Sequence, residues 1–408
     1  MKKAILKSYA KLIARSGLGL KKGQDVIIKA NVDQEDFVSI VVKECYNAGA
    51  GRVTINWLSE KLNRINLKKG KLRPLMKNTP MEIALQEYWT DKLPCYLWLD
   101  SDDPDGAKGT NPKKAAKIKA KKHEEVKHLI EARENRYQWC IAAVPSEKWA
   151  KKVFPGLTKA EGMKRLWDAI LTASRAKDGN GIKNWEDHEK DLKARCDYLN
   201  SLNLRSLHYT SSNGTDLTIG LIPNVIWLGG GETTLLGNFY QPNIPSEEAF
   251  TSPMRGQAEG IVYSAKPLVY QGHLIKNFNI RFHEGKAVEV HAEEGEEALK
   301  SILALDEGSA YLGECALVPY DSPINKTGLL FYNTLFDENA CCHLALGRGF
   351  TNLYKDFDKY TEDELHGFGI NKSLSHVDFM IGSEDLHIEG TTADGKKVVI
   401  FDHGTWAK

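Results

Sequence analysis

Helical and strand-like patterns alternate along the first part of the chain, and this alternation restricts the available folds more than any other feature. Ile5 to Ala14 has helical apolar spacing and stops at Ser16-Gly17. Val26-Ile27-Ile28, bounded by Gly23 and Asn31, reads as a short buried strand. Asp36 to Ala48 reads as an amphipathic helix with Phe37, Ile40, Val41 and Cys45 on one side. Gly49-Ala50-Gly51 ends it, and Val53 to Trp57 follows as a strand. A helix over Met81 to Tyr88 and strands over Cys95 to Leu99 and Gln138 to Val144 continue the rhythm. Strands joined through helices pair side by side in the same direction, so a mostly parallel sheet flanked by helices is expected.

From about Ser206 the texture changes. His208-Tyr209-Thr210, Leu217 to Gly220, Ile261-Val262-Tyr263, Asn277 to Phe282 and Ala287 to His291 are short β-like runs separated by Gly and Asn turns. His283-Glu284-Gly285-Lys286 reads as a hairpin tip. A helix is expected over Glu294 to Leu303. A chain of 408 residues is long for one core. The expected architecture is an α/β N-terminal domain over residues 1–195, with a mostly parallel sheet, and a β-rich α+β metal-binding C-terminal domain over residues 196–408.

The net charge of +1 gives no whole-chain field for nucleic acid or membrane, and no apolar stretch is long enough to cross a bilayer. The lysine-rich segment Lys113 to Lys127 is interrupted by Glu124 and Glu125 and has few aromatics, which favours a solvated helix face over a nucleic-acid patch. Lys7, Ser8, Tyr9 and Lys11 interrupt any signal-peptide core after Ile5-Leu6, so a cytoplasmic protein is expected. Its seven cysteines are scattered without a Cys-x-x-Cys pair, as reduced buried thiols would be. Gly17-x-Gly19-x-x-x-Gly23 precedes a strand instead of following one and has the wrong spacing for a dinucleotide loop. Neither a Gly-x-Ser-x-Gly elbow nor a His-Glu-x-x-His helix occurs.

Chemistry concentrates in the second half. His376 and Asp378 lie two apart in a strand-like run ending at Ile381, so both point to one face while Val377 and Phe379 point to the core. Glu314 sits inside the apolar run Ala310 to Pro319, where a carboxylate must be paired, protonated or bound to a metal. Glu248 lies in the proline-flanked segment Pro242 to Pro253, and by itself could be a solvated loop acid. Asp337 to Gly347 reads as a helix entry ending at Gly347. It holds Glu338 and His343, which a regular helix would splay apart, and Asp337 or Asn339 as an N-cap. Taken singly, His343 could be a core histidine, and His376 with Asp378 a structural pair. Six nitrogen and oxygen donors together suit two divalent ions better than one.

The phrases Asn243 to Pro253, Leu312 to Pro319, Thr334 to Ala340, His343 to Gly347 and Asn371 to Ser383 carry a resemblance. The chain resembles the thermophilic-type metallo-aminopeptidases, the group of aminopeptidase T, aminopeptidase S and PepS. The resemblance implies two divalent cations per chain (Zn2+, Co2+ or Mn2+) held by Glu248, Glu314, Glu338, His343, His376 and Asp378, with Glu314 bridging and catalytic. It also implies peptide substrates with a free N-terminus and a homodimer enclosing the sites, with no nucleic acid or membrane partner. One position departs from the family pattern: Phe350 stands where a catalytic tyrosine is expected, leaving Tyr354, Arg348 or His366 as polar substitutes. Two other readings stay open, another di-metal amidohydrolase or dipeptidase and a catalytically weakened binding protein. Glu247 is a candidate partner for a substrate α-amine.

Overall fold

The computed structural model describes residues 2–270 and 272–407. The chain forms two compact units, one of residues 1–187 with 231–245 and the other of residues 188–230 with 246–408.

The first unit is α/β. Its five-stranded sheet has the order Arg52–Leu58, Asp25–Asn31, Cys95–Asp100, Trp139–Ala143, Asn243–Ile244, and every pairing is parallel. Val26, Ile28, Leu97, Leu99, Cys140 and Ala142 are buried in it, as expected of strands covered by helices on both faces. Local signals end the helices where the sequence indicates. Gly49 takes φ 106° after helix Glu35–Ala48, and its N–H donates to the Cys45 carbonyl. Thr79 and Glu82 close a capping box at the start of helix Pro80–Lys92. The lysine-rich segment lies in helix Pro112–Arg133, of which only Val126 and Arg133 are buried, so it is a solvated face. The last strand arrives from far along the sequence: Pro242 and Pro245 bracket Asn243–Ile244, and the Ile141 N–H donates to the Pro242 carbonyl at 2.8 Å.

The second unit is built on antiparallel sheets. A nine-stranded sheet includes Leu204–Thr210, Asp216–Leu221, Pro253–Tyr263, His273–His283 and Lys286–Glu294. The last two form the expected hairpin, with Glu284 at φ 49° and Gly285 at φ 79°, the two positive angles of a type I′ turn. A four-stranded sheet has the order Ala249–Thr251, Leu312–Leu317, His343–Gly347, His376–Met380. The sheets share one core, in which Leu207, Ile219 and Phe278 of the larger meet Cys315, Leu344, Leu346, Val377 and Phe379 of the smaller. Among the described residues no helix is long and apolar enough to cross a membrane.

Candidate metal centre

The four-stranded sheet carries its chemistry on the face turned away from that core. Alternation sends Cys315, Leu317, Leu344, Leu346, Val377 and Phe379 into the core. Register then aligns the opposite face: Glu314, Ala345 and Asp378 form one row across three strands, and Gly347 lies opposite His376. Ala345, the middle of the row, projects only a methyl group between the two carboxylates.

Glu314 reaches this face because of a bulge. Leu312 pairs with Leu346 but Glu314 pairs with Ala345, so Gly313 is the extra residue. Without the extra residue Glu314 would fall opposite Leu344 and face the core. A Cβ on Gly313 would meet the Gly347 and Arg348 carbonyl oxygens at 2.3 Å, so only glycine fits.

Five of the six expected residues fall into two donor sets. Two donor sets, Glu248 with Glu314 and His343, and Glu314 with His376 and Asp378, each offer ligand atoms within 4.8 Å of one another, and Glu314 belongs to both. His343 Nε2 lies 3.2 Å from Glu248 Oε2. His376 Nε2 lies 2.9 Å from Glu314 Oε2 and 3.1 Å from Asp378 Oδ1. Glu338, the sixth expected residue, lies beside the second set, where the charge of Asp378 acts on its carboxyl. The expected helix through His343 is not formed. Thr334–Glu338 is a single short turn of helix and His343–Gly347 is a strand. The run Ala340 to Gly347 is uniformly small or aliphatic around its histidine, and such a run is taken up as a strand when neighbours on both sides offer backbone partners. Separating the two elements frees Glu338 and His343 from the helical splay.

The electrostatics are those of crowded, desolvated acids. Burial pushes Glu314 up despite its hydrogen bond to His376. Burial, then the charges of Asp378, Glu248 and Glu314, hold Glu338 well above the carboxylate range. Burial would lower His343, but Glu248, Glu314 and Asp378 outweigh it and carry the imidazole up to about 9. Burial opposes ionisation of Asp378 as well, yet His376 and His343 bring it down to about 2.

These residues fit a metal. His376 Nδ1 lies 2.7 Å from the Arg348 carbonyl, which can only accept, so this nitrogen carries the proton and Nε2 faces the carboxylates. A neutral ring would turn a lone pair toward two acids, an arrangement that needs a proton or a cation in between. His343 Nδ1 similarly faces the Cys341 carbonyl at 3.4 Å. Backbone-anchored imidazoles of this kind are the usual support of metal-ligating histidines. Asp378 Oδ1 is buried with His376 Nε2 at 3.1 Å and makes no well-formed hydrogen bond, so with a neutral His376 a cation would satisfy it.

Three neighbours were not legible as part of the site. Asn339, read as an N-cap, sits at the C-terminal end of its helix with no exposed surface. The bulge at Gly313 had a signal, an isolated glycine in an apolar run. Ser252 Oγ accepts from the Phe350 N–H at 2.9 Å. Phe350 does border the centre, its ring 5.0 Å from that of His376 and 5.5 Å from that of Phe250. Of the three polar substitutes, Tyr354 stacks on Phe368 in a separate cluster with Ile222, Leu365 and Ile370, His366 Nδ1 is held by the Ile370 carbonyl, and Arg348 is exposed. Glu247 is buried, with its carboxylate 3.8 Å from His188 Nε2.

A sheet-borne cluster of buried acids and imidazoles with one carboxylate common to two donor sets is the arrangement of a metal centre. The chain belongs to the thermophilic metalloprotease (M29) family, whose model matches residues 2–406. It is 38% identical to aminopeptidase AmpS of Bacillus subtilis and 37% identical to aminopeptidase T of Thermus thermophilus, each over 98% of both chains. The solved structure of wild-type AmpT from Thermus thermophilus superposes with a TM-score of 0.90 at 36% identity, covering 100% of both chains. This chain is therefore a metallo-aminopeptidase.

Proposed function

We propose that the centre holds two divalent cations, Zn2+, Co2+ or Mn2+, and that the enzyme releases N-terminal residues from peptides with a free α-amine. The membership of Glu314 in both donor sets carries this reading. Glu248 and His343 would serve one side of Glu314, and His376, Asp378 and Glu338 the other. Charge supports the count: the four buried or desolvated carboxylates carry four negative charges, which two divalent cations would neutralise with both imidazoles neutral.

When bound, paired cations lower the pKa of water and polarise a scissile carbonyl. Glu314 acts as general base toward the attacking water and returns the proton to the departing amine. His376 is held by the Arg348 carbonyl and keeps Nε2 aimed at the centre. The contact with His188 counts against Glu247 as the partner of the substrate amine.

Seven free, buried cysteines support a reducing, cytoplasmic setting. Exposed Leu235, Leu236 and Phe239 support a homodimer, as an apolar surface of this kind marks a contact site.

Exhaustive chelation should abolish hydrolysis of a peptide with a free N-terminus. Back-titration with each metal should restore it at two ions per chain, and the N-acetylated peptide should remain uncut. Full activity after complete metal removal would refute the mechanism.

A further inference from the structure

Asn339 joins two ligand-bearing segments that are far apart in sequence. Its Oδ1 accepts from the Glu247 N–H at 2.8 Å. Its Nδ2 donates to the Leu335 carbonyl at 2.9 Å and lies 3.4 Å from Glu338 Oε1. The orientation of the amide is fixed by chemistry, because turning it over would set N–H against N–H and oxygen against carbonyl oxygen. The bond to Leu335 alone would be an ordinary satisfaction of a helix-end carbonyl. The bond to Glu247 crosses 92 positions, and helix capping does not require it. It ends on the residue next to Glu248, while the same amide touches Glu338. Asparagine is the one side chain that supplies an acceptor and a donor at this reach: aspartate lacks the donor, serine is too short and glutamine carries an extra methylene.

We propose that Asn339 is a positioning residue that sets the separation of the Glu248 and Glu338 carboxylates and thereby the affinity of the metal centre. This inference rests on the metal-centre reading above. Asn339 touches neither substrate nor reacting atoms, so its loss should act on metal binding before it acts on turnover.

The test compares wild-type enzyme with Asn339→Ala and Asn339→Asp, using Glu338→Gln and Glu248→Gln as controls. Affinity for Zn2+, Co2+ and Mn2+ is measured by competition with a chromophoric chelator, beside circular dichroism and kcat at saturating metal. Both Asn339 variants should bind metal about 10- to 100-fold more weakly. Their kcat should recover to within a few-fold once the metal is saturating. Asn339→Asp keeps the volume and the acceptor for Glu247, so it remains decisive if the alanine variant does not fold. Wild-type affinity in a folded Asn339→Asp protein overturns the inference. If Glu338→Gln and Glu248→Gln also bind metal like the wild type, the metal-centre reading fails and takes the inference with it. Loss in the glutamate variants alone defeats only the role of Asn339.

Discussion

At the scale of residues, the centre is a cluster of four acids that repel one another and, without a cation, are offset by only two imidazoles. Glu314 and Glu338 are raised by burial and by neighbouring acids, and His343 and His376 are raised by those same acids. A carboxyl raised in the folded state stabilises the fold when protonated and loses that contribution as pH rises through its folded pKa. A raised imidazole behaves with the same sign, stabilising fully below about 6.5 and losing its contribution as pH rises toward about 9 for His343. Chelated protein should therefore melt at progressively lower temperature as pH increases from 6 to 9. Metal-loaded protein should be flatter over that range, because its imidazoles are already deprotonated by coordination. A calorimetric pH series on both forms measures the difference, and identical slopes would count against the assignment. Asp378, depressed to about 2, titrates outside this window.

Phe350 makes a second point at this scale. Its ring is beside His376 but offers no hydrogen-bond donor, and Tyr354 and His366 are held elsewhere. Removing one oxyanion donor costs on the order of 10²–10³ in kcat. Phe350→Tyr should therefore raise kcat by about 10-fold or more with unchanged metal content. An unchanged kcat would mean that the developing charge is already stabilised by another group.

At the scale of elements, one bulge determines which way the bridging acid faces. Substituting Gly313 forces either a clash with two carbonyl oxygens or loss of the bulge, and losing the bulge turns Glu314 toward Leu344 and the core. Gly313→Val should lower stability by about 1–3 kcal/mol and eliminate tight metal binding together. Thermal melts and metal counting on one preparation would check both, and normal metal content in a destabilised protein would contradict the bulge argument. The misread of His343 belongs here too. Ala340 to Gly347 carries no period that separates a buried strand from a buried helix. Its state is decided by the strands at Glu314 and Asp378, which supply hydrogen bonds from both sides. By contrast, the strand bearing His376 and Asp378 was legible, because its alternation with Val377 and Phe379 is a local property of the chain.

At the scale of the whole molecule, the segment 231–245 belongs to the first unit although residues on both sides of it belong to the second. It carries the hairpin whose Leu235, Leu236 and Phe239 are 49%, 53% and 46% exposed. A homodimer would elute at twice 45.7 kDa, and the double variant Leu235→Glu/Leu236→Glu should shift it toward the monomer in light scattering. A monomeric wild type would remove the dimer from the proposed function.

Local pattern, read from the sequence by itself, determined the parallel α/β character of the first unit, the β-rich second unit, the hairpin at Glu284-Gly285, the shared face of His376 and Asp378 and the buried acid Glu314, while the full set of six candidates came from the family resemblance. Periodicity, turn chemistry and the cost of burying a charge act over a few residues, so they leave a trace in a few residues. Tertiary structure alone decided the bulge that aims Glu314, the strand that carries His343, the return of 231–245 and the reach of Asn339 to Glu247. Each of these depends on a backbone partner tens of residues away, and no local stretch of sequence records which partner will arrive.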